Sequence, residues 1–272
     1  MTEHDVALPA PLSPRRRPWW RRSGGGLLVA LATLAAKGKA LLLLLPKLKI
    51  LTTSGSMLVS VAAYALIWGW RFAVGFVLLL LVHELGHVIQ LRREGIPASA
   101  PLFIPFLGAV VGARSLGDDA VAEARVGLAG PVLGSLGAAA VAVAGYALGS
   151  DLLQALAFTG FFLNLFNLLP VTPLDGGRAF AAMAPWMWFV GLGLIVALAF
   201  ARPNPIIVLI AVVGALDVYR RWQGLRSGDP EARAYYRVSR RQRVAVAGVY
   251  FGLVALLVAG MDLTHLQRSL PA

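Results

Sequence analysis

The sequence predicts an all-α polytopic membrane protein with about six to seven transmembrane helices and a short re-entrant hairpin or loop. Of its 272 residues, 58% are hydrophobic and only 14% are charged, and the charges cluster between long apolar runs. A spanning helix needs roughly 20 mostly apolar residues, and several runs approach that length. The chain has no cysteine, so any metal must be bound by His, Asp or Glu.

The N-terminal 50 residues are predicted to lie beside the membrane. Residues 1–25 combine several prolines with the basic run Arg15–Arg17, which favours a disordered basic arm. In residues 26–50, lysines flank the apolar run Leu41–Leu45, as expected for an interfacial segment. The alternative, that Gly26–Ala36 is part of a signal peptide, is left open.

Seven apolar spans follow and define the predicted organisation. Residues 51–218 form the transmembrane core, 219–243 a basic cytoplasmic loop, and 244–272 a C-terminal transmembrane helix and tail. Some spans are short for a straight crossing, so two of them could merge or re-enter the membrane. The spans are predicted at 52–70, 72–91, 126–149, 152–170, 185–201, 205–218 and 244–261.

The pentad HELGH lies inside the second span. Residues four apart share one face of a helix, so His83 and His87 can bind one metal ion while Glu84 lies beside them as a proton acceptor. This spacing is typical of zinc-dependent hydrolases, which leave a coordination position open for water. In the alternative, the histidines only pack, and Glu84 pairs with Arg92 or Arg93. Ionisable residues within a span are costly, which favours a functional site.

The segment Pro101–Gly117 is apolar, but prolines and glycines interrupt it too often for a spanning helix. Irregular backbone at membrane depth must be buried in protein or line a watery cavity. We therefore predict a re-entrant hairpin that lines the site. In the alternative, this segment is an interfacial loop anchored by Phe103 and Phe106.

The net charge of +12 is explained by membrane orientation and does not indicate nucleic acid, because the basic residues flank apolar segments. With the N-terminus cytoplasmic, only Arg71, Arg202 and Arg268 of the 25 basic residues fall on the other side. The predicted location is a cell membrane, plasma or inner, crossed several times. The content of Ala, Gly, Leu and Arg is compatible with a bacterial source.

The segment 167–177 ends the fourth span on the same side as the pentad. Two prolines and two glycines open the backbone there, which lets a carboxylate turn inward. Asp175 is thus a candidate third metal ligand. It can equally be a turn residue that pairs with Arg178.

The two motifs together resemble the site-2 protease family of intramembrane metalloproteases. That family combines a His-Glu-x-x-His helix with a later Asn-x-x-Pro-x-x-x-x-Asp-Gly segment. The resemblance implies one Zn²⁺ per chain and a base that activates water. It also implies an Asn that holds the substrate backbone. By position these roles fall to His83, His87 and Asp175 as ligands, Glu84 as base and Asn167 at the substrate, with Pro170 and Gly176 supporting the motif.

Further features suit a compact member without a PDZ domain. Ala129–Pro131 is similar to the Gly-Pro step of the family, and Thr172 stands where many members have another proline. The loop after the pentad helix is too short for a PDZ domain. The segment Pro101–Gly117 is similar to the re-entrant hairpin of the family, which is thought to pair with an unwound substrate as an added strand.

The resemblance implies a zinc-dependent endopeptidase that hydrolyses a peptide bond within or beside a transmembrane segment of another protein, as in regulated intramembrane proteolysis. The expected partners are the transmembrane helix of that substrate and the lipid bilayer. Nucleic acid is not expected, and a regulatory membrane protein and the oligomeric state are left open. Two alternatives are a non-proteolytic zinc-binding scaffold on the same fold and a transporter.

Overall fold

A computed structural model describes residues 51–113 and 117–265 of the chain. The predicted N-terminal arm, the interfacial segment, Arg114 and the end of the C-terminal tail lie outside these ranges. Within them the chain forms nine helices and one two-stranded hairpin. The elements are α1 (Leu51–Trp68), α2 (Trp70–Arg93), β1 (Leu102–Ile104), β2 (Gly108–Val110), α3 (Ala120–Leu148), α4 (Asp151–Asn167), α5 (Asp175–Met183), α6 (Met187–Ala201), α7 (Pro205–Arg226), α8 (Pro230–Tyr235) and α9 (Arg240–Thr264).

The predicted all-α membrane fold is confirmed, and each of the seven predicted spans falls on a helix. Among the described residues, α1, α2, α3 and α9 are both long and apolar enough to cross a membrane. Helix α6 is apolar but shorter, at 15 residues. Many large apolar side chains are exposed on the outer faces, as expected for helices that contact lipid. Six to seven crossings remain the prediction for the chain as a whole.

Helix boundaries follow local capping more closely than hydropathy. Helix α3 begins at Ala120, six residues before the predicted span, because the Asp119 side chain accepts a hydrogen bond from the Ala122 N–H. Gly69, with φ of 80°, separates α1 from α2 in a conformation that favours glycine. Helix α7 continues to Arg226, beyond the apolar part of its sequence.

Helix α3 is the centre of the bundle and packs against α2, α4, α5 and α9. Its alanines and glycines allow close approach, and the largest core cluster combines α3 residues with α4, α5 and α9. At the end of α2, Glu94 accepts two hydrogen bonds from the Arg125 guanidinium of α3, at 2.7 and 2.8 Å. These bonds hold the pKa of Glu94 below its usual value.

The predicted hairpin is present. Its strands β1 and β2 are antiparallel, with Phe103 opposite Ala109. Two hydroxyl groups of α1 accept hydrogen bonds from backbone N–H groups of the hairpin. Ser56 Oγ accepts one from Phe103 at 3.1 Å, and the Tyr64 hydroxyl accepts one from Phe106 at 3.0 Å. Phe103 is buried and Phe106 is half-exposed, so only the latter could anchor an interface. The bonds from α1 satisfy backbone groups that lipid could not.

Candidate metal centre

Helix α2 carries both histidines of the pentad on one buried face. The Nε2 atoms of His83 and His87 lie 3.1 Å apart. The two ring planes are nearly perpendicular, with their centroids 4.9 Å apart. The four-residue spacing brings the side chains together one helical turn apart, as the sequence predicts. The pentad therefore forms one half of a compact polar centre.

Asp175 completes this centre as the first residue of α5. Its Oδ2 atom lies 3.2 Å from the Nε2 atom of each histidine, and all three residues are buried. Its Oδ1 atom lies 3.7 Å from the Arg178 guanidinium. Asp175 is helical and not a turn residue. Its predicted pairing with Arg178 is compatible with metal binding, because each contact uses a different carboxylate oxygen.

The hydrogen bonds of the imidazoles fix where their lone pairs point. His87 Nδ1 lies 2.8 Å from the Val126 carbonyl, which can only accept. His83 Nδ1 lies 2.8 Å from Asn164 Oδ1, and the amide nitrogen of Asn164 donates to Gly160 O at 2.7 Å. Both Nδ1 atoms therefore carry hydrogen, which leaves the Nε2 atoms of neutral rings as lone-pair donors.

Three electron-pair donors thus converge without a proton between them when the rings are neutral. Their mutual separations of 3.1, 3.2 and 3.2 Å are close to the about 3.3 Å expected for ligand atoms around a tetrahedral zinc ion. These atoms form a group that could hold a metal ion. A donor set of two imidazoles and one carboxylate suits zinc and leaves a fourth position open.

Comparisons with known proteins give a family match to part of the chain. A model described as peptidase family M50 matches residues 71–150. This match supports the predicted resemblance to the site-2 protease family. The putative zinc metalloprotease Rip3 of Mycobacterium tuberculosis is 31% identical over 144 residues, which cover 47% of this chain and 35% of that protein. The zinc metalloprotease MJ0392 of Methanocaldococcus jannaschii is 29% identical over 129 residues, which cover 46% and 37%.

The resemblance predicted from the two motifs is supported, and zinc is the cofactor that the matches and the group of His83, His87 and Asp175 indicate. The chain spans little more than a third of the length of these two relatives. The residues that the family model matches include α3 and all but the first residue of α2, and they end before Asp175. The assignment of Asp175 as the third ligand therefore depends on its distances to the two imidazoles.

Glu84 lies beside the ligands on α2, and it is buried. Among the ion pairs of the described residues, none joins Glu84 to Arg92 or Arg93, the pairing considered as an alternative. Glu84 is thus a buried carboxylate next to two candidate metal ligands, and it forms no ion pair with the arginines at the end of α2. Such a carboxylate is suited to exchange protons with a bound water.

Two positioning groups were missed by the sequence analysis: Asn164 and the Val126 carbonyl. Each fixes the tautomer and ring orientation of one histidine. In most metal sites a hydrogen-bond partner of the ligating histidine does the same. Asn164 lies three residues before the predicted Asn167, so both belong to one stretch of α4. Helical spacing from Asn167 is a signal that could have identified it. No sequence signal identifies a backbone carbonyl.

Glycines let α3 and α5 come close enough to build the centre. A Cβ atom at Gly130 would overlap the imidazole of His87, and one at Gly86 would overlap the Ala129 carbonyl. A Cβ atom at Gly176 would likewise overlap the Leu168 carbonyl. The Gly-Pro and Asp-Gly steps thus have a steric reason in this chain, because a larger residue at either glycine would displace a helix from the site.

The remaining motif residues surround the break between α4 and α5. Asn167 is the last residue of α4 and is half-buried, and Pro170 lies in the connection to α5. This connection ends α4 and lets Asp175 start a new helix that points its carboxylate at the histidines. The role of Asn167 at a substrate stays a prediction.

Proposed function

We propose that this protein is a zinc-dependent intramembrane endopeptidase that cleaves a membrane protein within or beside a transmembrane segment. The observation that carries the proposal is the convergence of Asp175 with His83 and His87. The two histidines and Glu84 belong to α2, a helix apolar enough to cross a membrane. A structural zinc site would need four protein ligands and no neighbouring base.

The proposed chemistry divides between metal and protein. Zinc, when bound, supplies a Lewis acid that polarises the scissile carbonyl and acidifies water. Glu84 accepts the proton of the attacking water and delivers it to the nitrogen of the leaving amine. Val126 and Asn164 keep the histidine lone pairs directed at the metal throughout. The buried site excludes bulk water, which strengthens these interactions.

The substrate must reach the site as extended chain. A helix satisfies its own backbone hydrogen bonds, so its carbonyls are unavailable until it unwinds locally. We propose that the β1–β2 hairpin receives the unwound segment as an added strand and that Asn167 hydrogen-bonds its backbone. Helix-breaking residues in the substrate should therefore favour cleavage.

The proposed setting is a cell membrane, plasma or inner, with the N-terminus in the cytoplasm. The distribution of basic residues supports this orientation and puts the C-terminal end of α2, and the centre near it, towards the cytoplasm. The partners in this setting are the substrate helix and the surrounding lipid, and a regulatory membrane protein is a further candidate.

The test is cleavage of membrane-anchored model substrates by the purified protein in detergent, together with its zinc content. Glu84→Gln is expected to keep zinc while losing about 10²–10⁴-fold in rate. Asp175→Asn is expected to lose both zinc and cleavage. The exposed Glu231→Gln and Asp262→Asn are the matched controls and should behave like wild type.

Stoichiometric zinc without cleavage of any substrate would favour the scaffold over the protease. Zinc binding that is unaffected by Asp175→Asn would refute the proposed third ligand. Full activity of Glu84→Gln would refute the role of Glu84.

A further inference from the structure

A second buried polar cluster lies away from the metal centre, where α7 and α8 meet α3. Glu123 exposes only 1% of its surface. The Arg221 guanidinium donates two hydrogen bonds to it, at 2.6 and 3.1 Å, and the Tyr235 hydroxyl donates a third at 2.7 Å. Arg221 Nε also donates to Asp217 at 2.6 Å.

The partners of Glu123 compensate its buried negative charge with hydrogen bonds. Burial, together with the negative charge of Glu123, raises the pKa of Tyr235, so its phenol stays protonated and donates. The two-pronged contact from Arg221 is the geometry that best compensates a buried carboxylate. Burying such a pair rarely adds net stability compared with apolar residues, which points to a positional role.

Trp188 links this cluster to the helix of the third ligand. Its ring lies under the Arg221 guanidinium, with Cζ 4.9 Å from the ring centroid. Its indole N–H donates to the Gly177 carbonyl at 2.8 Å, two residues after Asp175. Trp188 is almost fully buried. Arg221 on α7 therefore contacts Glu123 of α3 and also Trp188, the side chain that is hydrogen-bonded to α5.

Helix α5 is connected to α3 in two ways, by direct packing and through Trp188 and Arg221. Glu123 and Gly127 are four residues apart and lie on one face of this helix. A Cβ atom at Gly127 would come within 2.8 Å of Arg178 Cβ and 2.9 Å of the Asp175 carbonyl oxygen. Helix α5 is thus pressed against α3 at Gly127 and tied back to the same helix through Trp188 and Arg221.

Helix α5 needs such support. It has nine residues and its N-cap, Leu174, offers no side-chain hydrogen bond. Isolated helices of this length are marginal, so its position depends on contacts with its neighbours. A displacement of α5 moves Asp175, its first residue, directly.

We propose that Glu123, Arg221 and Trp188 form a clamp that positions Asp175 for zinc binding. The three are positioning residues, because none of them belongs to the metal's donor set. Trp188 and Arg221 also lie outside the residues that the family model matches. The inference rests on the zinc site of the proposed function and assigns to α7 and α8 a task in maintaining that site.

The experiment measures zinc affinity of the full chain in detergent by competition with a chelator, beside the melting temperature of the metal-free protein. Trp188→Phe removes the indole N–H but keeps an aromatic ring, and Arg221→Lys keeps the charge but loses the two-pronged contact. Each is expected to weaken zinc binding about tenfold, the lower end of what outer-shell changes cost. The visible spectrum of the cobalt-substituted protein should change with them.

The double variant Trp188→Phe/Arg221→Lys is expected to bind zinc no worse than the weaker single variant, since both changes act through the Gly177 carbonyl. Arg220→Lys and Trp222→Phe are matched controls on α7 whose side chains are exposed, and both should bind zinc like wild type.

Weakened zinc binding with an unchanged metal-free melting temperature supports the clamp. Unchanged zinc affinity in both single variants overturns it. So does a loss of affinity that merely parallels a lower melting temperature, since that would be a general structural role. Wild-type protein that binds zinc but cleaves nothing would count against the proposed function alone, because the clamp is judged by zinc affinity.

Discussion

Removing the side-chain carbonyl of Asn164 should weaken zinc binding without unfolding the protein. Asn164→Leu keeps the volume of the side chain and deletes the acceptor that lies 2.8 Å from His83 Nδ1. The imidazole then either keeps a buried, unpaired Nδ1–H, at a cost of about 1–3 kcal/mol, or moves its proton to Nε2 and loses the lone pair that zinc needs.

Either outcome, the unpaired Nδ1–H or the proton on Nε2, should lower the zinc affinity by a similar factor. Outer-shell changes typically cost 10- to 100-fold in metal affinity, or about 1.4–2.7 kcal/mol. Gly134→Ala perturbs the same hydrogen bond from the other side, because its Cβ atom would overlap the amide of Asn164. Asn164→Asp keeps an acceptor at that position and should retain most of the affinity.

The assay is chelator competition in detergent, with the melting temperature of the metal-free protein measured in parallel. Gly248→Ala is the matched control for Gly134→Ala, since nothing lies within 4 Å of its added Cβ atom. Zinc affinity at the wild-type level in folded Asn164→Leu would refute the argument that this amide fixes the tautomer of His83.

Three further predictions follow from contacts around the bundle. Gly130→Ala should abolish stoichiometric zinc binding, because its Cβ atom would overlap the His87 imidazole; zinc retained at one per chain would contradict this. Glu94→Gln should flatten the pH dependence of the metal-free melting temperature as the pH falls below about 4.3. The folded-state pKa of Glu94 is lowered, so its pairing with Arg125 stabilises the protein above about pH 4.3 and is lost as the pH falls further. An equally steep pH profile in this variant would count against the pairing. Removal of metal by a chelator should end cleavage, and added zinc should restore it; cleavage that persists in metal-free protein would exclude zinc chemistry.

The parts of the fold and site that the sequence predicted are those encoded locally. Helical spacing alone puts His83 and His87 on one face. Long apolar runs identified the helices, and proline and glycine marked the break after which Asp175 turns inward. Hydropathy placed the start of α3 too late because Glu123 interrupts the apolar pattern, and its burial depends on Arg221, 98 residues away.

The parts that could not be predicted depend on how helices cross. Asn164 contacts His83 across 81 residues of chain, and His87 bonds to a backbone carbonyl that any residue at position 126 would supply. Likewise, the segment 219–243 was predicted only as a basic cytoplasmic loop. Two of its residues, Arg221 and Tyr235, donate hydrogen bonds to Glu123, a contact that charge patterning along the chain does not indicate.

The glycines of α3 reverse a common rule of protein stabilisation. Replacing helical glycine with alanine normally gains about 0.5–1 kcal/mol, so alanine is the usual choice in thermostability design. Gly127, Gly130 and Gly134 recur every three or four residues and face Asp175, the imidazoles and Asn164 in turn. A screen that ranks substitutions by helix propensity would therefore select, along this face, the changes most harmful to the centre.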